Sequence, residues 1–320
     1  MSAHRFSKQV RDRGARLEAW VKRRGAWGRI FSFLLLLAIA VSPVVLPLYW
    51  LSAATKPSIL SDVAEIIALA LIYIGFLIGL PAWGKRIHGW RHPFSYCGLS
   101  LRLQTAQDIV LTMAVGMLGV FALFGLQTLF GWAAPTTPSP RFSYFVVEGL
   151  IMAIAVAFAE EMLFRGWLLS ELEEDYGSRT SMWMCAVFFA AMHFIKPWSE
   201  IVQTFPQFLG LVILGLALVW ARRSPTGRPV ASVTHSAELS NRIRTRLGYP
   251  IGLHAGLIYG YYLINVGGLS EPTGKAPEWL TGIDGNPLAG LLGLVLLSVI
   301  AYAFSKKAYS KANQSPAKRV

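Results

Sequence analysis

Two adjacent carboxylates and an arginine, Glu160, Glu161 and Arg165, stand in the apolar stretch AVAFAEEMLFRGWLLSE (155–171), and His193 and His254 stand in two later apolar runs. A charged group near the centre of a bilayer costs on the order of 3 kcal/mol, so ionisable residues at that depth point to function. Glu161 and Arg165 are four residues apart, on one helical face, where carboxylate and guanidinium neutralise each other. Glu160 is turned about 100° away round the helix, so its partner has to come from another segment. His193 and His254 are the candidates deep enough. A carboxylate facing two imidazoles is equipment for hydrolysis: the carboxylate takes a proton from water, and an imidazole orients that water or stabilises the oxyanion. The same trio is also a ligand set for a divalent metal. The chain has no HExxH and no GxSxG, which leaves the zinc-protease and serine-hydrolase patterns without support.

Residues of this kind need helices to carry them. Of the 320 residues, 54% are hydrophobic and 15% charged, far from the mix of a soluble domain. The apolar residues fall in eight runs, approximately 30–53, 60–82, 107–130, 144–170, 180–196, 205–222, 250–268 and 287–304. Each is close to the roughly 20 residues a helix needs to cross hydrocarbon. The pattern predicts an all-α, polytopic membrane protein with about eight transmembrane helices. Arginine and lysine are dense before the first run, sparse after it, and alternate in abundance along the later connections. By the positive-inside rule both termini are expected in the cytoplasm, and the membrane to be a bacterial cytoplasmic (inner) membrane or an equivalent such as the thylakoid. The first run is too long for a signal-peptide core and is read as a span.

The formal charge of +13 raises nucleic acid as a partner, but the basic residues flank spans on one side and accompany no recognition motif, so no nucleic acid is expected. The basic leader, 1–29, carries Phe6, Val10, Leu17, Trp20 and Val21 at near-helical spacing, suited to a helix lying on anionic headgroups. Cys97 and Cys185 form no CxxC pair and are read as packing residues. His4, His88, His92 and His235 fall in connections and are set aside as solvated. The connection 223–249 is read as a short surface helix. Gly252, Gly256 and Gly260 recur every four residues, giving one face that admits close backbone approach, with His254 pointing away from it. Gly75 and Gly79 offer a second such face.

The stretches EEMLFR (160–165), FAAMH (189–193) and IGLHAG (251–256) resemble the three motifs of the CAAX-protease and bacteriocin-processing (CPBP, or Abi) family. These are glutamate-dependent intramembrane proteases related to the type II CAAX prenyl endopeptidase. The resemblance covers roughly 144–268, which makes that segment the catalytic core. The first three helices within 30–143 and the last helix and basic tail within 269–320 are consistent with it. It implies an endopeptidase that cleaves a membrane-associated peptide or protein within the bilayer. Glu160 would activate the attacking water, His193 would help to hold it, His254 would contribute to the oxyanion site, and Glu161 with Arg165 would be support. No cofactor is implied; zinc is the alternative not favoured. One position departs: the family's third motif usually has Asn four residues after its His, and here that position is Ile258, which donates no hydrogen bond. Tyr261 and Asn265 lie near the face of His254 and are the additional polar lining, though about 10 to 16 Å further along the helix. Two rivals stand beside this reading. One is an inactive membrane scaffold or assembly factor of the same fold, which Ile258 favours. The other is a transporter with Glu148 and Glu160 as a proton relay.

Overall fold

The computed structural model describes residues 3–225, 246–283 and 285–310, with side chains described from residue 12 onward. The described residues are predominantly helical, as expected, and the chain divides into two compact units: Met1–Tyr96 with Ser170–Tyr176, and Cys97–Leu169 with Gly177–Val320. The surface helix expected in 223–249 falls largely on 226–245, outside the described residues.

The first unit is built on α1 (Ala3–Lys22), α2 (Ala26–Thr55), α3 (Ile59–Ile87) and the short α4 (Pro93–Tyr96). Helices α2 and α3 form an apolar hairpin whose turn is fixed by a reciprocal capping pair, Ser58 and Ser61, each satisfying a backbone N–H of the other. The two helices pack tightly at Gly75, where a Cβ would stand 2.7 Å from Val41 Cγ1. The leader does form a helix, and it buries Val21 while Leu17 and Trp20 stay exposed. The Arg24 guanidinium sits 4.1 Å above the Trp20 ring.

Inside this unit the sequence reading of His88 needs correcting. His88 is not solvated: its side chain is 8% exposed, and its Nε2 lies 2.7 Å from Glu171 Oε1. Trp83 Nε1 donates to the same oxygen at 2.6 Å, and Arg29 Nε donates to Oε2 at 3.2 Å. The fully buried Glu171 is thus surrounded by donors. Position in a connection said nothing of this, because the partner lies 83 residues away.

The second unit contains α5 (Leu103–Leu129), α6 (Phe142–Glu161), a π-helical turn (Met162–Leu168), α8 (Ser178–Met192), α9 (Trp198–Thr204), α10 (Gln207–Arg223), α11 (Gly248–Asn265), α12 (Glu278–Thr281) and α13 (Leu291–Ala308). Here α7 denotes Leu169–Asp175, which follows the π turn and lies mostly in the first unit. Ala133–Pro135 and Ser270–Pro272 add a two-stranded antiparallel ladder between loops. Helix α11 is the hub, with thirteen of its eighteen residues buried. It lies against α5 through the expected glycine face: a Cβ at Gly252 would stand 2.2 Å from Ile109 O, and one at Gly256 2.1 Å from Met113 O. Cys97 and Cys185 are buried and form no disulfide, and Cys185 donates to Phe164 O at 3.4 Å.

The multi-pass character expected from the sequence holds, but the eight runs do not make eight equal spans. Five helical stretches among the described residues are long and apolar enough to cross a membrane, Phe142–Asp175 counting as one, and the bent pair α9/α10 would be a sixth. Of the remaining runs, α8 has 15 residues, about 22 Å of helix against roughly 30 Å of hydrocarbon. Helix α11 is enclosed by protein, so glycine, tyrosine and histidine replace the aliphatic residues that lipid contact would require.

Gly256 and Gly125 make a matched test. Alanine in a helix interior is favoured over glycine by roughly 0.5–1 kcal/mol, and at Gly125, where an added Cβ meets nothing within 4 Å, Gly125→Ala should leave or slightly raise the melting temperature. At Gly256 the clash with the α5 backbone outweighs that gain, so Gly256→Ala should lower the melting temperature and folded yield in detergent.

Candidate active site

Helix α6 ends on the glutamate pair, and the π turn that follows widens the backbone ring from i→i+4 to i→i+5, a local irregularity common at functional sites. Leu169 N–H accordingly bonds Phe164 O. The turn carries Arg165 inward, where it and Glu161 are both fully buried. Arg165 Nη1 donates to Glu161 Oε1 at 2.8 Å, and Nη2 donates to Gly215 O of α10 at 3.4 Å. The pair expected from the i,i+4 spacing is therefore present.

His254, projecting from α11 on the side away from its glycine face, reaches both glutamates. Its Nδ1 lies 2.9 Å from Glu161 Oε1, and its Nε2 lies 3.9 Å from Glu160 Oε2. An oxygen already engaged by a guanidinium is an acceptor, so Nδ1 is the donor there and Nε2 is the nitrogen turned toward Glu160. The Glu161–His254 contact was missed because sequence spacing reports neighbours on one helix and nothing of what another helix delivers. Glu160 is in a different setting: its side chain is 30% exposed, and its buried Oε2 has no hydrogen-bond partner. At 3.9 Å the His254 contact is too long for a direct hydrogen bond.

His193 caps the C-terminus of α8 and is exposed at the cavity rather than enclosed. Its Nδ1 lies 2.8 Å from Phe189 O; a carbonyl only accepts, so Nδ1 carries the proton and Nε2 is left free. Phe189 is fully buried and organises the surroundings. Its ring lies 4.1 Å from the Arg165 guanidinium, 4.7 Å from the His193 ring and 6.1 Å from the His254 ring.

Glu160, His193 and His254 all line one cavity of about 280 Å³, whose other walls are mostly Leu, Val, Phe and Ile. Ile258 lines it too, so the departing residue faces the site. Tyr261 does as well, with its hydroxyl donating to Gly285 O at 3.1 Å. Asn265, expected as lining, does not reach this cavity. It faces a second one of about 260 Å³, beyond Tyr261, beside Trp132 and Glu271, because its distance along the α11 axis carries it past the site. Two polar residues went unnoticed in the sequence: Gln207, at the first turn of α10, and Asn286, in the turn before α13. The only signals were the adjoining prolines in TFPQFLG and GNPLAG, which mark breaks and not chemistry.

Glu148 lies outside this cavity and is bonded by Tyr262 at 2.6 Å and Tyr144 at 3.1 Å. Twelve residues separate it from Glu160, about 18 Å along the helix. Among the described residues no three His, Cys, Asp or Glu side chains are grouped as a metal site.

A partly open carboxylate and two imidazoles stand at the wall of a largely apolar cavity in a multi-pass helical membrane protein. Residues 142–238 match the family described as type II CAAX prenyl endopeptidase Rce1-like, in agreement with the CAAX-protease resemblance of the sequence motifs. The matched segment contains Glu160, Glu161, Arg165 and His193 and ends before His254. It points to the protease class of hydrolases. No curated protein and no solved structure matches the chain.

The unequal settings of the two glutamates predict unequal variants. Arg165→Ala leaves a buried carboxylate short of its cation, a loss of roughly 3–5 kcal/mol, and should sharply reduce folded yield. Glu160→Gln, nearly isosteric at an oxygen with no protein partner, should purify at wild-type yield and melting temperature. Equal losses in size-exclusion and melting assays would refute the division between support and reacting group.

Proposed function

We propose that this protein is an intramembrane endopeptidase in which Glu160 activates water to hydrolyse a peptide bond of a membrane-associated peptide or protein. The observation that carries the reading is that Glu160, His193 and His254 line one largely apolar cavity in a chain with several membrane-crossing helices. The family match supports the reaction class.

The chemistry follows from the free atoms. Glu160 Oε2 lacks a partner and is an acceptor for one hydrogen of a water. His193 has Nδ1 committed to Phe189 O, so its Nε2 accepts the other hydrogen and turns the water's lone pair toward a carbonyl. Glu160 takes the proton as the C–O bond forms. His254, in its doubly protonated form, donates from Nε2 to the developing oxyanion. Collapse of the intermediate breaks the C–N bond, and Glu160 returns the proton to the departing amine. Glu161 and Arg165 act indirectly, fixing the His254 ring through Nδ1. Within this reading the substrate's prenylation is not required; the polar atoms of the cavity recognise an amide carbonyl.

The test is turnover of a library of quenched fluorescent peptides, each with one membrane-inserted apolar segment, by purified protein in phosphatidylcholine/phosphatidylglycerol vesicles. The wild type should cleave members of the library and Glu160→Gln should not, while exhaustive chelation should leave the rate unchanged. Activity lost to a chelator and restored by Zn²⁺ would instead establish a metallopeptidase. A wild type without turnover would favour the scaffold reading that Ile258 suggests.

A further inference from the structure

We infer that Gln207 and Asn286 supply the oxyanion hydrogen bonds that Ile258 cannot. The inference rests on the peptidase reading and concerns how the same cavity stabilises the tetrahedral intermediate. That intermediate places a full negative charge on the former carbonyl oxygen, and one missing donor at such an oxygen typically costs about 10²–10³ in kcat. Ile258 presents only methyl and methylene groups, so the donors have to come from elsewhere on the wall.

The lining leaves few choices. Glu160 accepts, His193 has its Nδ1 proton committed to Phe189 O, and Tyr261 gives its hydroxyl proton to Gly285 O. Apart from His254, the remaining side-chain N–H groups on the cavity wall belong to Gln207 and Asn286. The Asn286 amide has a defined orientation. Its Oδ1 accepts from Leu288 N at 2.9 Å, so the free end is the Nδ2 amino group, which only donates.

The backbone segments that carry the two residues pack against each other, and the Asn286 side chain is tied by its bond from Leu288 N. Gln207 opens α10 just after the 72° bend from α9. Three residues on, Gly210 brings that first turn against the 286–288 turn, since a Cβ there would stand 2.4 Å from Leu288 O. From the other side, Gly293 of α13 is closer still to Pro287 O, 1.8 Å from where its Cβ would be. The Asn286 turn is clamped between the first turns of α10 and α13, which fixes it beside Gln207. Donors fixed before the reaction lose little by reorganisation when the charge develops.

The experiment uses the full-length protein in the same vesicles and the same quenched membrane-inserted peptide library. Gln207→Leu removes one donor. Asn286→Asp keeps the acceptor for Leu288 N–H and removes the other donor, so the turn stays capped. Each is expected to lower kcat at least about tenfold with KM changed less than about threefold. Ile258→Asn, which puts a carboxamide back on α11, is expected to restore most of the kcat lost in Gln207→Leu when the two are combined. An active wild type whose kcat is unmoved by both single substitutions would overturn the inference and leave the peptidase intact. A silent wild type with an active Ile258→Asn variant would also overturn it, showing a peptidase site that lacks its donor. Silence in both would remove the peptidase reading itself, and the inference with it.

Discussion

The Glu161 carboxylate, shut off from solvent, is held through one oxygen by Arg165 from its own helix and by His254 from α11. A buried charge that loses its partner is among the most destabilising changes a protein can suffer, so the helices that deliver these partners have little freedom to shift. The π turn aims Arg165 inward, the α10 carbonyl of Gly215 receives its other end, and Phe189 of α8 stacks against the guanidinium. Four elements are tied to one carboxylate. The ion pair is end-on, leaving Glu161 Oε2 and Arg165 Nε without partners, so its geometry depends on the surrounding packing as much as on its own hydrogen bond.

Close backbone approach makes that arrangement reachable. His254 can touch both glutamates because α11 lies deep among its neighbours, and it lies deep because Gly252 and Gly256 let the α5 backbone come within contact distance. Larger residues on that face would push α11 outward and withdraw the imidazole. The same helix shows why hydropathy and burial need not coincide in such a protein: enclosed by other helices, α11 can be built of small and polar residues that a lipid-facing helix could not carry.

Adjacent in sequence, Glu160 and Glu161 are divided by environment. Glu161 is dry and doubly partnered, whereas Glu160 is partly open to the cavity with an oxygen free. One residue of helical rotation separates an enclosed, paired carboxylate from one that opens on the cavity. The first unit holds a third carboxylate, Glu171, in a manner like that of Glu161, with Arg29, Trp83 and His88 around it. The two buried acids among the described residues, Glu161 and Glu171, are thus each met by a guanidinium and an imidazole together, whereas the partly exposed Glu160 is not.

The sequence by itself determined the all-helical, multi-pass class, because runs of aliphatic residues near bilayer length have one stable form in lipid. It also determined the Glu161–Arg165 pair and the glycine faces, since helical periodicity is local and can be counted. It marked Glu160, His193 and His254 by the cost of placing ionisable groups among apolar ones. Only the tertiary structure decided that His254 bonds Glu161 while standing near Glu160, that Asn265 looks into another cavity, that His88 is buried, and that Gln207 and Asn286 face the site. Among the described residues, five or six helices are long and apolar enough to cross a membrane, because enclosure by protein and a bend between helices do not register in hydropathy. Most of these outcomes depend on contacts between residues dozens of positions apart, about which a spacing rule read along one helix carries no information.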